Sequence, residues 1–176
     1  MIRPEFRKKL ERWQIAVLFV WILFLIWAAI YLFVPYLNPD HGEAIADFPL
    51  ETFRQVLWVI VAIQVAFLFW WRKHFLSKEF LLRRGRETRL MPTLLRGHQT
   101  PTEKVAARVL SWYILGSVVA FAVADSIAIY GLYLGYIGEY FLDQYILSFI
   151  CLLLLIYFYP TKAFFTELLG ELDSVA

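Results

Sequence analysis

Residues 15 to 34 read IAVLFVWILFLIWAAIYLFV, twenty consecutive positions without a charge. As a helix rising about 1.5 Å per residue this stretch covers about 30 Å, the thickness of a bilayer's hydrocarbon core. Three further runs repeat the pattern. Val56 to Trp71 and Gln144 to Tyr159 carry no charge, and Val109 to Gly138 carries only Asp125. The two shorter runs need flanking residues such as Phe53 and Phe141 to reach across. The whole chain is 61% hydrophobic and 19% aromatic, far above the roughly 45–50% apolar content of a soluble domain. These features predict an all-α, polytopic membrane protein with four transmembrane helices in two hairpins. It forms a single membrane domain over residues 1–176, with spans near 14–34, 53–72, 109–137 and 141–159.

The first run has the basic flank of a signal peptide, and Ala44-Ile45-Ala46 offers a small-x-small pattern. Its apolar region exceeds the roughly 7–15 residues of a signal peptide, so it reads as a retained anchor. Orientation follows from the basic residues, which stay on the cytoplasmic side during insertion. Arg3, Arg7, Lys8, Lys9 and Arg12 precede the first span, and ten Lys and Arg fall between Arg72 and Arg108. The first loop holds only Arg54 against Asp40, Glu43, Asp47 and Glu51, and the last holds Glu139 and Asp143. Both termini are therefore expected in the cytoplasm, with localisation to the cell's inner (plasma) membrane.

Helix ends are marked in the sequence. Pro4 suits a first turn, Pro35 and Pro39 are expected to close the first helix, and Pro49 with Glu51 to open the second. Thr100-Pro101-Thr102-Glu103 combines a capping box with proline at the first helical position. Asp143 is a candidate cap for the fourth span, and Pro160 its end. Phe164, Phe165, Leu168, Leu169 and Leu172 recur at helical spacing, which predicts a short helix over 162–172 on the inner surface.

Asp125 lies near the middle of the third span, where an ionised carboxylate costs roughly 2.5–3.5 kcal/mol on insertion scales. It must be neutral, paired or hydrated. By depth its nearest candidate partner is Gln64, the strongly polar residue of the second span. Two readings stand: a polar post joining helices, or a station on a proton or ion path. Ala122 to Leu132 reads AVADSIAIYGL and resembles the ion-carrying helix of the proteolipid (c) subunits of rotary ATP synthases, where a carboxylate is followed by a pattern close to AIAIYGL. The resemblance implies an ion-binding carboxyl at Asp125 with Tyr130 as its aromatic neighbour. It covers eleven residues, and the glycine-rich partner helix of that family has no counterpart in Val56 to Trp71.

Gly116, Ala120, Ala124 and Ala128 recur every fourth residue, continued by Gly131 and Gly135. Small residues let helix backbones approach, so this stripe is expected at a helix interface. The segment 72–108 carries ten basic residues against Glu79, Glu87 and Glu103. Arg83, Arg84, Arg86 and Arg89 within it suit anionic lipid headgroups, at about 1 kcal/mol per basic side chain. No nucleic-acid motif accompanies the charge. His41, His74 and His98 lie outside the apolar runs, Cys151 is the single cysteine, and no spacing suggests a metal or a cofactor. With no phosphate loop or nucleophile elbow either, a stand-alone enzyme is the least supported class. The reading is a structural or accessory subunit of a larger membrane complex, its partners being the bilayer and other membrane subunits or further copies of itself. The alternative is a proton or ion translocation element built on Asp125.

Overall fold

The computed structural model describes residues 2–37, 49–87 and 100–174. Within them the elements are helices: α1 Pro4–Leu37, α2 Leu50–Phe75, α3 Lys78–Glu87, α4 Pro101–Gly138, α5 Phe141–Tyr157 and α6 Lys162–Ser174. Four helical stretches are long and apolar enough to cross a membrane: Pro4–Val34, Leu50–Phe75, Pro101–Gly138 and Phe141–Leu168. The chain is accordingly a membrane protein. Pro39, Ala44 to Ala46, His41, Arg89 and His98 lie outside the described residues.

Local chemistry accounts for most helix ends. The Arg3 carbonyl accepts from the N–H groups of Phe6 and Arg7, and the Pro49 carbonyl from Phe53, each at 3.0 Å. Ser77 caps α3, its hydroxyl accepting from the Phe80 N–H at 3.4 Å. At α4 the capping box closes in both directions: Thr100 N–H donates to Glu103 Oε2 at 3.0 Å, and Glu103 N–H to Thr100 Oγ1 at 3.3 Å. α1 is described as far as Leu37, between Pro35 and Pro39, since a proline removes one N–H without forcing the helix to stop at once. One expectation needs correction. Asp143 is not the cap of α5. That position is Tyr140, without a side-chain bond, and Asp143 is held by Arg54.

The turn before α5 has a positive φ at Glu139 (56°), one residue after Gly138. A Cβ at Gly138 would meet the Tyr140 ring at 2.5 and 2.7 Å. Glycine is thus needed there for space, and the left-handed conformation falls on the glutamate.

The chain divides into two compact units. One comprises Met1–Val20, Trp71–Val119 and Tyr159–Ala176, the other Trp21–Trp70 and Ala120–Phe158. The first has an apolar core of Ile2 ahead of α1, Phe6 and Leu10 from α1, Leu81 from α3, Ala106, Ala107, Val109, Leu110 and Tyr113 from α4, and Phe165 and Leu168 from α6. Residues 6 and 10 share one helix face, as do 165 and 168. Of the apolar edge expected on the bilayer surface, Phe165 and Leu168 are buried against protein, and the side chains of Leu169 and Leu172 lie outside the described residues. Lys78 fastens α3 to α6 through Glu167 at 2.7 Å and Glu171 at 2.5 Å. These carboxylates raise the Lys78 pKa by accepting its hydrogen bonds.

In the second unit α4 supplies the buried Ala120, Phe121, Ala124, Ile127, Ala128 and Leu134, and α5 supplies Leu147, Cys151, Leu154 and Leu155. Packing is close enough that a Cβ at Gly131 would lie 3.0 Å from Leu147 Cβ and 3.1 Å from the Gln144 backbone. α1 and α2 bury little: 11% and 17% of their most apolar windows, against 44% in the spans of α4 and α5. Ile15, Phe19, Ile26, Trp27, Val59, Ile63 and Phe69 are exposed, a surface suited to lipid or to another membrane chain.

Candidate functional site

The apolar core of a membrane offers no water to a polar side chain, so each one there needs a partner within the protein. The second unit provides three such arrangements. Gln64 on α2 donates through Nε2 to Ser126 Oγ at 3.1 Å and Tyr130 Oη at 3.3 Å on α4. Ser126 can accept because its own proton is donated to the Val123 carbonyl at 2.7 Å. Gln64 thus reaches Tyr130, but its amide goes to Ser126 rather than to the expected Asp125. Successive helical residues are rotated by about 100°. Ser126 and Tyr130, four apart, share a face that Asp125 does not.

Pro35 creates the second arrangement. Its missing N–H deprives the carbonyl four residues earlier, Tyr31, of its helical donor. Gln144 on α5 fills the gap, donating from Nε2 to Tyr31 O at 3.0 Å. Gln144 is buried and lies over Gly135, where any Cβ would collide with its amide oxygen. A glycine, a glutamine and a proline from three helices therefore serve one backbone carbonyl. Trp21 acts similarly at the end of α5, donating from Nε1 to Leu155 O at 2.7 Å, one of the last-turn carbonyls that a helix leaves without a partner.

The third arrangement is the pair Arg54–Asp143. Two guanidinium nitrogens address the carboxylate, with Nη2 3.2 Å from Oδ1. Arg54 also lies 3.5 Å from Glu51 and 4.8 Å from the centre of the Tyr140 ring. The single basic residue of the acidic first loop thereby holds a carboxylate from the last.

Asp125 is half-buried, and its Oδ1 has no hydrogen-bond partner among the described residues. Tyr31 and Cys151 are near enough to feel its charge. Ser148 Oγ, one turn before Cys151, is also buried without a partner. Of the stripe, Ala120, Ala124 and Ala128 are fully buried, and Gly131 and Gly135 face α5. Gly116 belongs to the first unit, where its carbonyl accepts from Trp71 Nε1 at 3.0 Å and a Cβ would meet Leu76 at 2.8 Å. Arg83 and Arg84 are exposed on α3, with Arg84 5.5 Å from the centre of the Phe80 ring. Arg86 follows on the same helix.

The first unit holds a tie that the sequence reading missed. Glu103, fully buried, receives the Arg3 backbone N–H at 3.2 Å and Arg3 Nε and Nη2 at 2.8 Å each, so one carboxylate serves the N-termini of both α1 and α4. It precedes the charge-free run by six residues. Hydrogen bonds from the Arg3 guanidinium, then from the backbone of Thr100 and Arg3, outweigh burial and hold the carboxyl down at about 2. Both helix dipoles favour the same charge.

Among the described residues no group of three or more His, Cys, Asp or Glu is placed to hold a metal ion. No family model, curated protein or solved structure matches the chain. The likeness to proteolipid subunits rests on residues 122–132 alone.

Proposed function

We propose that the chain is a structural or accessory subunit of a larger assembly in the inner (plasma) membrane, built as two helical hairpins with both termini cytoplasmic. The observation that carries this reading is the use made of intramembrane polar groups. Gln64, Gln144 and Trp21 each tie one helix to another, while the broad apolar faces of α1 and α2 stay open to neighbours. Ion pairing supports the topology. Arg3–Glu103 and Lys78–Glu167 link the N-terminus, the basic segment and the C-terminal helix, whereas Arg54–Asp143 links the two remaining loops. That grouping suits a chain crossing four times, and the positive-inside rule puts the basic set in the cytoplasm. Arg83, Arg84 and Arg86 would then meet anionic headgroups.

Extraction from native membranes in a lipid-preserving polymer, followed by identification of co-purifying chains, tests the assignment. A partner present in stoichiometric amount is expected. Recovery of the chain only as a monomer would overturn it.

A second reading follows from Asp125. A half-buried carboxyl with an unpartnered oxygen in a helix resembling that of the proteolipid subunits fits a proton or ion translocation element, with Cys151 beside it. It requires a hydrated path to Asp125, and flux through the protein decides between the readings.

A further inference from the structure

A cavity of about 190 Å³ opens in the first unit between α1 and the connection from α5 to α6. Its walls are Glu11, Gln14, Ile15 and Leu18 on one side and Tyr159, Pro160 and Lys162 on the other. Residues 11, 14, 15 and 18 form one helix face. Opposite them the helix has ended at Tyr157 and Pro160 keeps it from resuming, so a corner of chain faces a continuous helix.

The cavity changes polarity along its length. The unbroken apolar run of α1 begins at Ile15, after Glu11 and Gln14, and Lys162 is the first charged residue after Asp143; Glu11, Gln14 and Lys162 therefore stand on the polar side and Ile15 and Leu18 on the apolar side. One helical turn, about 5.4 Å, separates Glu11 from Ile15. The polar end carries one carboxylate and one ammonium. They form no ion pair with each other, and the other tie of Glu11 is a 3.9 Å approach to Arg7 with both side chains half-exposed, a weak class of contact. Next to Leu18 the exposed Phe19 continues the apolar surface of α1.

We infer that this cavity binds a zwitterionic phospholipid whose head is a phosphoethanolamine. Its ammonium donates to Glu11, its phosphate accepts from Lys162 and the Gln14 amide, and its acyl chains follow Ile15, Leu18 and Phe19. Charge complementarity selects the head. A choline head has no N–H to give Glu11, and a glycerol head has no cation. A purely anionic lipid would set its charge against the carboxylate.

The test is lipid binding to the purified, delipidated full chain by native mass spectrometry. The probes are phosphatidylethanolamine, phosphatidylcholine and phosphatidylglycerol with identical acyl chains. Wild type is expected to prefer phosphatidylethanolamine by about threefold, the scale of an exposed ion pair. Glu11→Gln should abolish the preference, and Lys162→Gln should weaken all three lipids. Both side chains are exposed, so folding should survive, as circular dichroism would verify. Leu18→Trp, which fills the cavity without touching charge, should lower retention of phosphatidylethanolamine. Equal binding of the three lipids by wild type, a preference for phosphatidylglycerol, or a preference unchanged in Glu11→Gln would overturn the inference.

Discussion

Gln144→Met isolates the bond that answers the missing N–H of Pro35. Methionine keeps an unbranched chain over Gly135 but removes the donor to Tyr31 O, leaving a backbone carbonyl without a partner away from water. A buried unsatisfied group costs about 1–3 kcal/mol in soluble proteins, while interhelical hydrogen bonds within membranes average about 0.6 and reach about 1.7. The Tyr31 carbonyl has lost its helical donor, so the upper part of the membrane range applies and a loss of about 1–1.5 kcal/mol is expected. Pro35→Ala restores the helical N–H. In that background the same substitution should cost only its packing change, giving a coupling of about 1 kcal/mol in the double-mutant cycle. Unfolding by titration with sodium dodecyl sulfate in mixed micelles, followed by circular dichroism, measures all four proteins. If Gln144→Met costs the same with proline or alanine at position 35, the reasoning from the missing N–H is refuted.

Other outcomes follow from the same geometry. Gly131→Ala should destabilise by about 1–3 kcal/mol, since the new Cβ meets the Gln144 backbone, which cannot turn aside. Gly170→Ala, in open space on α6, should stabilise by up to about 1 kcal/mol, and equal effects in thermal unfolding would show that the α4–α5 contact is looser. Glu103 contributes stability fully present above its ordinary value of 4.5 and lost as pH falls towards about 2, because its folded-state pKa is depressed. Unfolding measured from pH 7 to pH 3 should show this decline, and Glu103→Gln should remove its part of it; an unchanged slope in that variant contradicts the Arg3 tie. A cysteine at Glu139 should react with an impermeant reagent from outside the cell and one at Arg84 only from inside, and the reverse pattern would invert the topology.

Four spans were legible because charge-free runs of membrane length need no tertiary information. The same holds for the start of α4, where Thr100 and Glu103 signal a capping box by spacing alone. The site was legible only in its members. Gln64 and Tyr130 do come together, but which neighbour of Asp125 meets Gln64 depends on helix rotation, and depth arguments are blind to it. Gln144 opens an apolar run, where its sequence context marks it only as part of a span. Its role follows from Pro35, since counting back four residues names Tyr31 as the carbonyl in need, yet the donor's identity requires knowing that α5 packs there. Arg3 and Glu103 are a hundred residues apart, and nothing local pairs them.

The proposed function requires the intramembrane polar groups to be ties between helices rather than stations for an ion. Proton flux into reconstituted vesicles under an imposed pH gradient, with any co-purified partner chains included, measures this at Asp125. The account predicts that wild-type flux equals that of empty vesicles and that the Asp125→Asn complex assembles intact. Flux present in the wild type, lost in Asp125→Asn and partly restored in Asp125→Glu would contradict it and establish the translocation reading instead.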